Sequence, residues 1–324
     1  MGVLVDGVWK ENWVEPKSTG GKFVRKDSAF RNWVTKDGVS GLSGIGGFKA
    51  EANRYHLFVS YACPWAHRTM IFRKLKGLED LITLSAVQPL MLENGWEFET
   101  AEPLLDAQYA WHIYLKADPF YSGRATVPIL WDKHQNTIVS NESAEIIRML
   151  NSEFDHLTGS SLNFYPEDLR PQIDRINERI YNAVNNGVYK SGFASSQQAY
   201  DEAVTTLFEV LDDLEERLSG QRYLVGDRLT EADWRLFTTL VRFDAVYTGH
   251  FKCNIRRIED YPNLSNYLRE LYQIPGVAET VDMTTIRQHY YGSHESINPT
   301  RIVPAGPVLD FTTPHNRDRF KIAA

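Results

Sequence analysis

Cys63 stands in the run Tyr61-Ala62-Cys63-Pro64-Trp65-Ala66-His67-Arg68, between an apolar strand-like stretch, 55–60, and a run with helical spacing, 66–78. This placement predicts a thiol at a helix N-terminus. There the partial positive charge and open N–H groups of the helix stabilise a thiolate, the form of cysteine that attacks sulfur or carbon. Pro64 suits the first helical turn, where its missing N–H costs nothing. The position that would carry the second thiol of a Cys-x-x-Cys pair is Ala66. A mixed disulfide formed on Cys63 therefore needs a resolving thiol from outside the chain. Cys253, in Phe251-Lys252-Cys253-Asn254, has neither a following proline nor a strand-to-helix turn and is read as a packing residue. His67 lies one turn along from Cys63 and is expected to pack or hydrogen-bond on the helix face, because a cysteine at a helix start ionises without a partner. His289 and His294 have no companions at ligand spacing, so no metal is expected.

The elements that must position this thiol follow from pattern. Up to about residue 50 the chain is rich in glycine, tryptophan and charge. Ser18-Thr19-Gly20-Gly21 and Gly41-Leu42-Ser43-Gly44-Ile45-Gly46-Gly47 break any period, which predicts an extended arm or cap. The second cluster lacks the Lys-Ser/Thr pair and the flanking strand and helix of a phosphate loop and is read as a connection. Short strands and helices then alternate. After the Cys63 helix come a strand over 81–87, a polar and aromatic insertion carrying Trp96, Trp111 and Tyr114, strands over 125–131 and 137–140, and a helix opened by Asn141-Glu142-Ser143. Pro128 conflicts with an interior strand because it cannot donate to the ladder; a place at the sheet edge with a cis bond before it resolves the conflict. From about 165 to 290 the period is helical. Val204, Leu207, Phe208, Leu211 and Leu214 mark one amphipathic helix, and Thr230 with Asp233 forms a capping box at the start of another. Beyond 295 the chain is proline-rich and irregular.

Composition bounds the partners. The 324 residues suffice for two domains, and 43% hydrophobic residues supply packed cores. Lys plus Arg number 35 against 42 Asp plus Glu, a net charge of −7, which argues against nucleic acid and anionic membranes. Two cysteines make no disulfide framework, and no apolar run approaches the roughly 20 residues of a membrane span. A cytoplasmic protein is expected.

The order of strand, Cys-Pro helix, strand, Val-Pro strand, strand and Glu-Ser helix, followed by a helical half, resembles the glutathione transferases. Further runs narrow the resemblance: Asn94-Gly95-Trp96, Ser122-Gly123-Arg124-Ala125-Thr126-Val127-Pro128, Ser140-Asn141-Glu142-Ser143, Asn185-Asn186-Gly187-Val188-Tyr189 and His289-Tyr290-Tyr291. With the Cys63 run they are similar to the glutathionyl-hydroquinone reductases, the xi-class transferases, over nearly the whole chain. The resemblance implies an α/β plus all-α protein: an arm over 1–50, a thioredoxin-like glutathione-binding domain over 51–157, an all-helical domain over 165–294 and a tail over 295–324. It also implies that Val127 pairs through its backbone with the cysteinyl part of glutathione, that Glu142 and Ser143 hold the γ-glutamyl end, and that Trp96 and Arg124 complete the tripeptide site. Tyr189 and Tyr290 would line a hydroquinone pocket and act with Cys63 in catalysis. The implied activity is reduction of glutathionyl-hydroquinones by way of a Cys63–glutathione disulfide, with glutathione as co-substrate, no tightly bound cofactor, and a homodimer. An omega-like thiol transferase or dehydroascorbate reductase using the same cysteine, and a non-catalytic glutathione-binding module, are the alternatives.

Overall fold

A computed structural model describes residues 2–11 and 20–320; Ser18 and Thr19 of the first glycine cluster lie outside the described residues. The described chain forms two compact units, one from 2–11, 26–162 and 284–289, the other from 20–25, 163–283 and 290–320.

In chain order the first unit holds β1 (Val3–Val5), β2 (Val8–Lys10), β3 (Tyr55–Val59), α1 (Pro64–Leu75), β4 (Ile82–Ala86), β5 (Met91–Leu92), β6 (Gly95–Glu102), β7 (Ala107–Tyr109), α2 (Ala110–Ala117), β8 (Ile129–Asp132), β9 (Thr137–Ser140), α3 (Ser143–Ser152) and α4 (Asp155–Thr158). Four strands make the central sheet in the order β4-β3-β8-β9, with β3 and β4 parallel and the other pairs antiparallel. All five residues of β3 are buried, as a strand flanked on both sides and covered by helices must be. Helices α1 and α3 pack against each other. This is the thioredoxin-like arrangement.

Two expectations change. The strand expected over 125–131 begins only at Ile129, and it lies inside the sheet between β3 and β9 rather than at an edge. The Val127–Pro128 bond is cis, and Pro128 precedes the first ladder residue, so its missing N–H removes no strand bond. The extended arm or cap expected up to about residue 50 is, among the described residues, built of docked pieces. Strands β1 and β2 form a hairpin through Asp6 and Gly7, both at positive φ. Asn32 N–H donates to the Val139 carbonyl at 2.9 Å and Arg31 bridges Ser140, so the arm covers the outer edge of β9. In the second glycine cluster a Cβ on Gly41 would sit 2.4 Å from Trp33 Cγ, so that position admits only glycine. The aromatic insertion is a three-stranded sheet, β5-β6-β7, followed by α2.

His56, buried on β3, hydrogen-bonds Thr83 Oγ1 through Nδ1 at 2.6 Å. Burial, with Lys133 and Arg73 adding to it, pushes its pKa down from 6.5 to about 4. The unfolded chain takes up this proton below about pH 6.5 and the folded chain only near pH 4. The associated stability is therefore complete above pH 6.5 and is lost as the pH falls toward 4, by up to about 3 kcal/mol. Urea titrations of the wild type and of His56→Phe at pH 7 and pH 4.5 are expected to show a smaller acid loss in the variant; equal losses would remove His56 from the account.

The second unit holds α5 (Arg170–Ile180), α6 (Gly187–Gly192), α7 (Gln197–Gly220), α8 (Glu231–Arg242) and α9 (Pro262–Gln273). The last helix, α10 (Met283–Ser293), runs through both units: its residues 284–289 belong to the first and those from 290 onward to the second. Val204, Leu207, Phe208, Leu211 and Leu214 form the buried face of α7. Between α5 and α6 the chain makes a π turn, Tyr181–Asn185, and another, Phe243–Tyr247, follows α8. Each is closed by an i→i−5 bond, Asn186 N–H to Tyr181 O at 3.0 Å and Thr248 N–H to Phe243 O at 2.9 Å. Asn185 braces the first by donating to Arg235 O and Thr239 Oγ1.

Asp233 does more than close the capping box of α8. Its carboxylate accepts from Thr230 N–H and Oγ–H, from Leu224 N–H and from the Tyr267 hydroxyl, while burial raises its pKa to about 6. Asp233→Ala would leave these buried donors without an acceptor, and a loss of about 3 kcal/mol or more is expected in chemical denaturation. A loss under about 1 kcal/mol would mean that the donors find other partners. From 295 to 320 the chain is mostly irregular, yet Arg317, fully buried, donates to Leu218 O, Gln221 O and Arg222 O and so satisfies carbonyls around the end of α7.

Candidate functional site

Cys63 is the N-cap of α1, with extended backbone and Pro64 as the first helical residue. Its sulfur accepts from Ala66 N–H at 3.5 Å, so the thiol faces the open end of the helix. On the other side the sulfur lies 3.4 Å from the Val127 carbonyl, immediately before the cis bond. The turn that presents the thiol is braced by Cys63 N–H to Ser60 O and Ala62 N–H to Ser60 Oγ. Half-exposed, Cys63 is reachable by a substrate. Cys253 is the opposite: wholly buried, its thiol is pushed up to about 12 by that burial, and it stays protonated at neutral pH. His67 is buried within α1.

The other residues expected for glutathione lie on elements of the same unit as Cys63. Glu142 is the N-cap of α3 and Ser143 its first residue. The Glu142 carboxylate accepts from Ala144 N–H at 3.0 Å and from Ser28 Oγ at 3.0 Å. Ordinary capping and ligand recognition are compatible here, because a carboxylate has four lone-pair sites. Ser28, a docked arm residue that sequence inspection passes over, thus reaches the acid expected to meet the γ-glutamyl ammonium. Arg124 is exposed in the segment leading to the cis bond, next to Gly123, whose backbone pairs with Leu4. Trp96 follows the tight turn of the β5–β6 hairpin, and its indole stacks on the His289 imidazole with ring centres 4.7 Å apart.

The second unit brings together the two expected tyrosines and adds a third. Tyr189, on α6, has its hydroxyl 2.7 Å from that of Tyr290 on α10, and the Tyr290 hydroxyl lies 3.0 Å from that of Tyr247. Phe251 packs against all three rings. Tyr247 and Tyr290 are fully buried, and burial, reinforced by the neighbouring tyrosine oxygen, holds both phenols well above their usual range. They therefore remain O–H donors at neutral pH. Tyr189 is half-buried, the least buried of the three. Hydroxyls in series polarise one another, so a bond donated at one end is strengthened by those behind it. Nothing in the local sequence separates Tyr247 from the other 15 tyrosines; it arrives through the π turn that it ends. His294, considered above only for metal, pairs with buried His250 at 3.1 Å.

The chain is similar to known proteins over nearly its whole length. Residues 62–153 match the N-terminal domain of the glutathione S-transferases and 197–270 their C-terminal domain. Over 98% of its length the chain is 59% identical to the glutathionyl-hydroquinone reductase YqjG of Escherichia coli K12, covering 99% of that protein. The glutathione-bound structure of YqjG superposes with a TM-score of 0.91, covering 98% of this chain and all of that one. The glutathionyl-hydroquinone reductase PcpF of Sphingobium chlorophenolicum is 54% identical over 95% of the chain and 96% of its own. A xi-class transferase from Natrialba magadii gives a TM-score of 0.90 at 48% identity, with 99% of this chain and 97% of that one covered.

Proposed function

Since this chain belongs to the glutathionyl-hydroquinone reductases, the xi class of glutathione transferases, we propose that Cys63 is the nucleophile with which it reduces glutathionyl-hydroquinones to hydroquinones. The chain is an enzyme that binds glutathione and takes glutathionyl-hydroquinones as substrates. The observation that carries the assignment of Cys63 is its sulfur at the open N-terminus of α1, with no second thiol three residues on.

In the first half-reaction the Cys63 thiolate attacks the sulfur of the substrate's glutathionyl group. A sulfur–sulfur bond forms, the carbon–sulfur bond breaks, and the ring carbon takes the bonding electron pair and then a proton, giving the hydroquinone. Tautomerisation of one ring hydroxyl to a ketone, promoted by hydrogen bonds from Tyr189 and Tyr290, gives that electron pair an oxygen on which to delocalise. In the second half-reaction the thiolate of free glutathione attacks the Cys63–glutathione disulfide, releasing glutathione disulfide and the resting thiolate. The two electrons that the ring carbon gains come one each from the substrate's glutathionyl sulfur and the sulfur of free glutathione, which end joined as glutathione disulfide.

Trp96, Arg124, Val127, Glu142 and Ser143 hold the tripeptide in this reading. The Val127 backbone pairs with its cysteinyl part in the manner of an added strand, and the α3 N-terminus with Ser143 meets its γ-glutamyl carboxylate. Residues 51–157 then form the glutathione-binding domain and 165–294 the domain of the second substrate, in a cytoplasmic homodimer. Incubating the protein with a glutathionyl-hydroquinone and glutathione tests the proposal. Free hydroquinone and glutathione disulfide are expected in equal amounts; turnover of mixed disulfides without any hydroquinone release would replace it with a general thiol transferase.

A further inference from the structure

We propose that His289 is a positioning residue of the glutathione site, holding the Trp96 indole at the angle at which it meets the tripeptide; this rests on the reading of Trp96 as a glutathione contact. Trp96 lies at the start of β6, the middle strand of the β5-β6-β7 sheet. The hairpin that presents it joins β5, two residues long, to β6 through the pairs Met91↔Trp96 and Leu92↔Gly95. On its other side β6 pairs with β7 from Glu97↔Tyr109 onward, which holds the strand backbone but does not set the angle of the indole ring. Gly95, at φ +75°, makes the turn, and a Cβ there would come within 3.1 Å of the Trp9 ring.

The imidazole of His289 gives the indole a side-chain partner. It lies nearly parallel to the indole, with 21° between planes and 4.7 Å between centres, and both residues are more than nine-tenths buried. Nδ1 of the same ring is 2.9 Å from the Pro89 carbonyl. A carbonyl only accepts, so Nδ1 carries the hydrogen and donates. Pro89 belongs to the link between β4 and β5, where the next residue back, Gln88, bonds through its N–H to Glu97 O at 2.8 Å. One ring on the α10 helix therefore holds both the indole and the link behind its hairpin. Stack and hydrogen bond fix the ring in two directions, and the indole it faces inherits that orientation.

The distinction from simple packing is testable, because the two contacts can be removed separately. His289→Phe keeps an aromatic face and loses the donor; His289→Gln keeps a donor and loses the face. With reduced glutathione and the full-length protein, calorimetry is expected to show about 5- to 20-fold weaker binding for His289→Ala, with partial recovery in both conservative variants. KM for glutathione should rise in parallel while kcat at saturation stays within about twofold, since Cys63 is untouched. In the Trp96→Ala background, His289→Ala should add nothing further. If Trp96→Ala weakens binding and every His289 variant binds as the wild type does, or if the two changes prove additive, the positioning role is overturned. If Trp96→Ala itself leaves glutathione affinity unchanged, the reading of Trp96 fails, and the proposal fails with it.

Discussion

Cys63→Ser is expected to lower turnover of glutathionyl-hydroquinone by about 1,000-fold or more, equivalent to about 4 kcal/mol of barrier. A serine hydroxyl at the same helix start is not ionised at neutral pH and cannot form the mixed disulfide. Cys253→Ser is expected to leave turnover nearly unchanged, because that thiol is buried and stays protonated. Mass spectrometry after exposure to glutathione disulfide should place a glutathione adduct on Cys63 in the wild type and none in Cys63→Ser. An adduct confined to Cys253, or an active Cys63→Ser protein, would end the assignment. Folding is a separate readout: since Cys63 is half-exposed and caps its helix through one long bond to sulfur, the serine variant should melt within a few degrees of the wild type.

Removing the hydroxyls of Tyr189 and Tyr290 together is expected to slow release of hydroquinone by about 30- to 1,000-fold, the range of about 2–4 kcal/mol for a central donor to a developing oxyanion. The single Phe variants should lose less, because each leaves the partner's hydroxyl in place. Tyr247→Phe, which keeps the 2.7 Å pair intact and removes the hydroxyl behind it, should cost about 3- to 10-fold. Glutathione affinity is expected to stay near the wild-type value throughout, since the tyrosines are assigned to the quinol and not to the tripeptide. Steady-state rates with the quinol adduct, set beside calorimetry with glutathione, separate the two effects. Unchanged rates in the double variant would make the trio structural; equal losses in rate and in glutathione affinity would move it to the other substrate's site.

The two kinds of residue behind these predictions differ in how visible they are in the chain. The thiol at a helix start is a local fact: an apolar strand, a cysteine, a proline and a helical run lie within about 20 consecutive residues, and helix-terminus electrostatics follows from sequence neighbours alone. The same holds for the Glu142-Ser143 helix start, the apolar face of α7 and the Thr230–Asp233 capping box. Contacts between distant segments are another matter. Whether Pro128 sits inside or ahead of its strand depends on which strands flank it, and local composition carries no trace of sheet order. Ser28 reaches Glu142 across 114 positions and His289 reaches the Pro89 carbonyl across 200. Tyr247 joins Tyr290 because a π turn shifts the helical register at that point, a shift that an ideal 3.6-residue period cannot express. The sequence by itself determined the cysteine at a helix start and the order of elements that present it; tertiary structure alone decided which side chains pack around those elements, because such packing joins segments that share no local signal.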